Sequence, residues 1–231
     1  MPEISNYDGE NYDYRTYWEE REYEDKAEKI ALKKLMRGLK GKRFIDIGGS
    51  FGRNIPLYAE KYDEFVIMDY SLKTLLKYEK EILDKYPNAK LVAGNAYNFP
   101  FAKNSFDGAM TIRVLHHLEE PEIYIKAVAN ILSHHGTLIQ EVANKVHLKA
   151  ALRWIFTGNF QMLDKSPYKQ PTRSDEAKEG SQEESVFLNF HPTHIKETMK
   201  TNGFTNFVKS SCSFLRIPTL KRILPQSLLI S

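Results

Sequence analysis

The sequence predicts a doubly wound, Rossmann-like α/β fold, a mostly parallel sheet with helices on both faces, and three observations point to it. Between residues 43 and 142 short apolar runs alternate with stretches of helical periodicity, the signature of successive βαβ units. The first run stops on an acid and turns through small residues, Asp46-Ile47-Gly48-Gly49-Ser50-Phe51-Gly52, before a helical pattern begins. A chain of 231 residues can bury a sizeable core, and its length suits one such domain with an insertion better than two small ones.

Residues 1–40 read as an N-terminal helical cap. Within it 14–39 forms one long helical stretch or two short ones, rich in acids and aromatics, and the cluster Tyr12, Tyr14, Tyr17 and Trp18 is more apolar than an exposed arm needs. Residues 41–231 read as the main domain. Strands are expected at 43–48, 64–69, 89–94, 106–112 and 137–142. Between the second and third, Leu72, Leu75, Leu76, Ile82 and Leu83 recur at helical spacing behind Ser71, a good N-cap, and Pro87 helps to stop the helix. A second helix is expected at 121–132, with Pro121 at an early position and Gly136 ahead of the next strand. Residues 144–190 are too long for an ordinary connection and read as a functional insertion after the fifth strand. Helical pattern resumes at 191–201, ends at Asn202-Gly203, and leads into a strand at 204–215.

The formal charge of +3 is too small, and too little concentrated, to imply a nucleic-acid partner. Past Glu197 every charged side chain is basic: Lys200, Lys209, Arg216, Lys221 and Arg222. That end suits a solvated face, or contact with an acidic substrate or lipid surface. Cys212 is the only cysteine, which excludes an internal disulfide and points to a cytoplasmic protein with a packed thiol. No apolar run reaches the roughly eighteen residues a membrane span needs, and the N-terminus is too polar for a signal peptide.

Glycine adopts positive φ and has no Cβ, so glycines after a buried strand suggest close approach of backbone to a nucleotide. A dinucleotide loop needs small residues at its first, third and sixth positions, which here would be Gly48, Ser50 and Arg53. Arg53 fits that poorly. The pattern Asp46-x-Gly48-x-Ser50-x-Gly52 instead resembles motif I of the class I S-adenosylmethionine-dependent methyltransferases, with Ser50 where that family usually has Gly. Asp69 closes the second strand at the carboxyl edge, where it can accept two ribose hydroxyls or simply charge the next helix's N-terminus. Tyr70 can lie on an adenine, and the Asn95 amide can meet the base edge.

Downstream, Asn98-Phe99-Pro100-Phe101, Ser105-Phe106-Asp107-Gly108 and Val114-Leu115-His116-His117-Leu118 resemble the family's later signatures, those of the ubiquinone-biosynthesis-type small-molecule enzymes in particular. The resemblance spans 42–142. It implies a seven-stranded sheet, S-adenosylmethionine across the carboxyl ends of strands one to three, and methyl transfer to a small or lipid-like acceptor. The implied cofactor set is Asp46, Gly48, Gly49, Ser50, Gly52, Asp69, Tyr70, Asn95, Ala96 and Arg113. Arg113 suits the methionine carboxylate, an anionic acceptor, or a plain surface position.

In-line displacement at a sulfonium needs little beyond positioning, so a base is optional; His116 and His117 are the candidates, with a packed or capping pair as the competing reading. Tyr14, Tyr17, Trp18 and Trp154 can roof an apolar acceptor pocket, or pack helix on helix. His134-His135 and His191-x-x-His194 lack the companion ligands of a known metal spacing, and no metal is expected. Two other readings stand beside the enzyme: a non-catalytic S-adenosylmethionine-binding regulatory protein, and a nicotinamide oxidoreductase that the glycine spacing disfavours. The motifs specify neither the acceptor atom nor an oligomeric state. Pro218 and Pro225 suit a turn and short helix, so the family's last strand is expected to be missing or the chain to end short of it.

Overall fold

Five apolar runs become the strands of one sheet: β1 (Gly41–Ile47), β2 (Tyr62–Asp69), β3 (Ala89–Ala93), β4 (Phe106–Thr111) and β5 (Leu132–Gln140). The computed structural model describes residues 13–19, 21–147, 150, 154, 156–158, 164–169 and 187–212. The sheet order is β3-β2-β1-β4-β5 and every neighbouring pair is parallel. The chain winds outward from β1 to β3, then returns to lay β4 on the other side of β1. A crevice opens at such a reversal, outside the carboxyl ends of the strands.

Alternation of side chains along each strand supplies two cores. On one face Phe44, Phe65, Ile67 and Met110 pack with Leu32 of α1 (Glu22–Leu35), Leu57 and Tyr58 of α2 (Ile55–Tyr58), and Leu75, Tyr78 and Ile82 of α3 (Leu72–Lys85). On the other, Ile45, Ile47, Met68 and Ala109 meet Tyr124, Ile125 and Val128 of α4 (Pro121–Ile131) and Ile195 of α5 (Pro192–Thr201). Burying each large apolar side chain contributes about 1.5–3 kcal/mol. The predicted doubly wound arrangement is thus the one observed. Ser71 caps α3, its hydroxyl accepting from the Thr74 amide at 3.0 Å.

Of the two readings of the N-terminal stretch, two short pieces form, a 3-10 turn at Thr16–Trp18 and then α1, with Arg21 between them at φ −123. Three sequence expectations are corrected. β5 starts at Leu132, earlier than its apolar pattern suggests, because Phe106 pairs with Leu132 while Gly108 pairs with Thr137. The segment between those pairs bulges, and the Ser133 hydroxyl donates to Asp107 at 3.3 Å. The strand expected at 204–215 does not form over residues 204–212: Asn206 takes φ 55, Val208 is 79% exposed, and no strand among the described residues pairs with it. Residues 213–215, and the expectation for the C-terminal end, lie outside the described residues. The seven strands implied by resemblance are, among the described residues, five plus a separate antiparallel pair, β6 (Tyr168–Lys169) and β7 (Leu188–Asn189), in the insertion.

Candidate cofactor site

The loop after β1 explains the two-residue spacing of its small side chains. Gly48, Ser50 and Gly52 all take left-handed backbone, at φ 73, 47 and 75. A Cβ on Gly48 would stand 2.1 Å from Val114 Cγ2, and one on Gly52 would stand 2.4 Å from Ile55 Cδ1, so both positions need glycine. The Gly48 amide donates to the Met68 carbonyl at 2.7 Å, folding the loop across the end of β2. Ser50 has no such steric licence. Left-handed backbone costs an L-residue about 1–2 kcal/mol, and the Ser50 amide is held there by donating to Asp69 Oδ2 at 2.9 Å. The other Asp69 oxygen accepts from the Ser71 amide at 3.0 Å, so one carboxylate ties the glycine loop to the start of α3.

Asp46 lies two residues from Phe44 and shares its face of β1. It is 2% exposed and accepts from the Tyr58 hydroxyl at 3.0 Å, beneath the loop. Burial pushes its carboxyl up to about 7; the neighbouring Asp69 and Glu28 carboxylates add to the rise, against Tyr58 and Arg53. Gly49 packs on it, since a Cβ there would meet Asp46 Cγ at 3.1 Å. At the rim Tyr70 is half exposed. Asn95 Oδ1 accepts from the Tyr97 amide at 2.7 Å, shaping the turn after β3, and Ala96 is buried in the core.

The far wall is the loop after β4. Arg113 takes φ 61, and its amide donates to Glu141 Oε2 at 2.6 Å. Its guanidinium Nη2 donates to the Tyr17 hydroxyl at 2.6 Å and stands 5.1 Å from the centroids of both the Tyr17 and Trp18 rings. Burial opposes its charge, while Tyr14, Tyr17, Glu141 and Glu28 favour it and hold its pKa above the usual arginine value. Beyond it, His116 and His117 sit in a 3-10 turn (Leu115–His117), ring centroids 4.0 Å apart. Phe187 covers them, 4.3 Å from His116 and edge-on to His117. His116 is buried and His117 half-buried.

The N-terminal aromatics land on this site. Tyr14, Gly48, Ser50, Asn54 and Arg113 line a recess of about 20 Å³, room for about one water. Tyr14 and Tyr17 stack at 5.5 Å, and Trp18 lies under the Arg53 guanidinium at 3.7 Å. Arg53 is held by Asp25 at 2.5 Å and by the buried Glu28, both on α1. Trp154 is placed elsewhere, buried in the insertion against Tyr168 at 6.3 Å. Arg53, Glu28, Glu141 and Phe187 carry no sequence signal as site residues because their partners are distant in sequence. Only Asn54 left a trace, as a small polar residue opening the helical pattern after Gly52. Its Oδ1 is buried with no partner among the described residues.

The other histidines have structural work. His191 accepts from the Thr193 amide at 3.2 Å and caps α5, while His194 Nε2 meets Glu122 at 2.8 Å. His134 and His135 pack edge to face in the β5 bulge. No group of three or more metal-ligating side chains comes together among the described residues.

Comparison with known proteins points the same way. Residues 45–140 match the family model described as a methyltransferase domain. The chain is similar to an O-methyltransferase of Aspergillus nomiae, 27% identical over 127 residues that cover 50% of this chain and 56% of the relative. It is similar also to a demethylmenaquinone methyltransferase of Renibacterium salmoninarum, 34% identical over 92 residues, covering 40% of this chain and 36% of that one. The matches thus span between 36% and 56% of these relatives' lengths. A crystal structure of an S-adenosylmethionine-dependent methyltransferase from Thermotoga maritima shares the fold, with TM-score 0.55 and 17% identity over 84% of this chain and 78% of that one.

Proposed function

With residues 45–140 belonging to the class I S-adenosylmethionine-dependent methyltransferase family, we propose that the chain transfers a methyl group from that cofactor to a small or amphipathic acceptor. The observation that carries the reading is the glycine loop folded over the β2 end, with the Ser50 amide on Asp69. The donor set fits the cofactor. Asp69 offers a carboxylate with about four acceptor positions to ribose hydroxyls, and Gly48 and Gly49 let the backbone come close. Arg113, a half-buried cation that holds the Tyr17 hydroxyl with Glu141 and Glu28 near it, is suited to the methionine carboxylate. Asn54 adds an orphan carbonyl suited to the neighbouring ammonium. Tyr70, at the rim, is placed to cover an adenine, and Asn95 and Ala96 shape that wall. Buried Asp46 serves the loop's posture from below.

The bound sulfonium supplies an already activated methyl group. The protein's part is to hold acceptor and donor in line and to keep water out, and positioning of this kind is worth roughly 7–11 kcal/mol of a barrier. His117, the less buried of the pair, is placed to take an acceptor proton, a contribution of about 10² to 10⁴ fold; His116 and Phe187 hold its ring. Tyr17 and Trp18 from the N-terminal cap stand against Arg113 and Arg53 beside the glycine loop, whereas Trp154, buried against Tyr168, is left without an acceptor role. Among the described residues no helix is long and apolar enough to cross a membrane, and the lone Cys212 fits a cytoplasmic setting.

Calorimetry with S-adenosylhomocysteine tests the reading. The wild type is expected to bind at micromolar level and Asp69→Ala to lose roughly a hundredfold or more, as removal of charge-assisted hydrogen bonds implies. Absence of heat with the wild type would sink it. A panel of phenols, quinols, amines and lipids, read by cofactor turnover, then separates an enzyme from a non-catalytic binder.

A further inference from the structure

We propose that the segment around residues 13–19 is a gate on the cofactor site, latched closed by its own side chains and displaced when the cofactor enters. The inference rests on the functional reading above. A ligand site usually needs about 300–1,000 Å³, yet the recess against the glycine loop measures about 20 Å³ with Tyr14 in its lining. The same segment takes up the cation expected to meet the cofactor's carboxylate, because the Tyr17 hydroxyl accepts from Arg113 at 2.6 Å. Gate and ligand therefore draw on the same guanidinium, and Tyr14 stands in the recess that the ligand would fill.

Two latches hold the segment. The inner one is aromatic and cationic: Trp18 under Arg53 at 3.7 Å, and Tyr17 beside Arg113. The outer one ties the segment to the exposed side of α3. Asp13 accepts from Lys77 Nζ at 2.7 Å and from the Tyr78 hydroxyl at 2.6 Å, while Arg15 pairs with Glu81 at 2.9 Å and lies 4.3 Å from the Tyr78 ring centroid. Solvent-exposed ion pairs are weak, typically under about 1 kcal/mol each. An outer latch built of them is one that a ligand can open. The inner contacts are better buried, so they open only when something takes over the Arg113 donors. A carboxylate can do that, since a charge-assisted bond is roughly twice as strong as one to a neutral hydroxyl.

Such a gate lowers apparent affinity by the fraction of molecules open at any moment. The test uses the whole chain and S-adenosylhomocysteine, comparing wild type with Asp13→Asn/Arg15→Gln, which loosens the outer latch at residues outside the recess lining, and with Tyr17→Phe, which keeps the ring but removes its hydrogen bond to Arg113. Stopped-flow tryptophan fluorescence should show both variants associating faster, with affinity tightened roughly five- to tenfold. Trypsin cleavage after Arg15 in Tyr17→Phe, and after Arg21 in both variants, should quicken without ligand. If cleavage quickens but association and affinity stay at wild-type values, or if affinity falls in both variants, the segment is not a gate. If neither wild type nor variants bind the probe at all, the cofactor assignment fails, and the gate with it.

Discussion

Replacing Asp46 by Asn separates an acid that supports the loop from one that acts on a ligand. Its carboxyl, 2% exposed, is raised from 3.8 to about 7, chiefly by burial, whereas the unfolded chain returns it to water. The folded protein therefore keeps a proton that the unfolded chain releases. Because the folded value is the higher one, this group's contribution to stability is complete in acid, below the unfolded value, and is lost as pH rises through the folded value. The full span is worth roughly 4 kcal/mol at 1.36 kcal/mol per pH unit. Between about pH 5 and about pH 8 the wild type should lose roughly 2.5 kcal/mol more stability than Asp46→Asn, which keeps an acceptor for the Tyr58 hydroxyl but cannot ionise. Urea unfolding at the two pH values reads this directly, through midpoints at constant slope. Parallel loss of stability in the two proteins would show that Asp46 is ionised in the fold, and that its place beneath the loop has been misread.

Gly48→Ala should destabilise by about 2–4 kcal/mol, from left-handed strain plus overpacking, because its new Cβ would stand 2.1 Å from Val114 Cγ2. Adding Val114→Ala should reduce the part due to overlap at position 48 and leave the strain, so thermal melts that show a neutral single variant would refute the loop geometry. Glu28→Gln should cost about 3 kcal/mol in urea, since it leaves the Arg53 charge with Asp25 as its remaining partner in a buried setting. A change under about 1 kcal/mol would mean that water already screens the pair.

The sheet was legible because parallel strands buried on both faces read as plain apolar runs, and each was followed by a helical period or a turn signal. The glycine loop was legible because small residues are required at left-handed positions, and three of them recur at spacing two. What sequence does not carry is which distant charge meets which. Arg53 looked only like a misfit for a dinucleotide loop, yet Asp25 and Glu28, on the same face of α1, neutralise it across a gap that no periodicity marks. The run at 204–212 failed for a related reason. Its composition suits a strand, but a strand is made by a partner, and Asn206 turns the backbone left-handed where a ladder would need extended geometry. From sequence Tyr14, Tyr17 and Trp18 read as an acceptor roof or as helix packing, and no periodicity marks the contacts that Tyr17 and Trp18 make with Arg113 and Arg53 beside the glycine loop.

Ser50 and Arg113 both line the recess, and both hold left-handed backbone without being glycine, at φ 47 and 61. In each case a carboxylate at the strand ends takes the amide: Asp69 for Ser50 and Glu141 for Arg113. Strained backbone persists where its surroundings over-determine it, so Asp69 has a second duty besides any ribose hydroxyl. Loss of cofactor binding in Asp69→Ala therefore has two sources, a missing ligand contact and a relaxed loop. Adding Ser50→Gly to Asp69→Ala tells them apart, because glycine removes the strain of about 1–2 kcal/mol that Asp69 was holding. If Asp69 touches the cofactor, the double variant should regain stability in urea while S-adenosylhomocysteine affinity stays at the single-variant level. Recovery of affinity along with stability would show that Asp69 acts only through the loop, and the ribose role assigned to it would have to be given up.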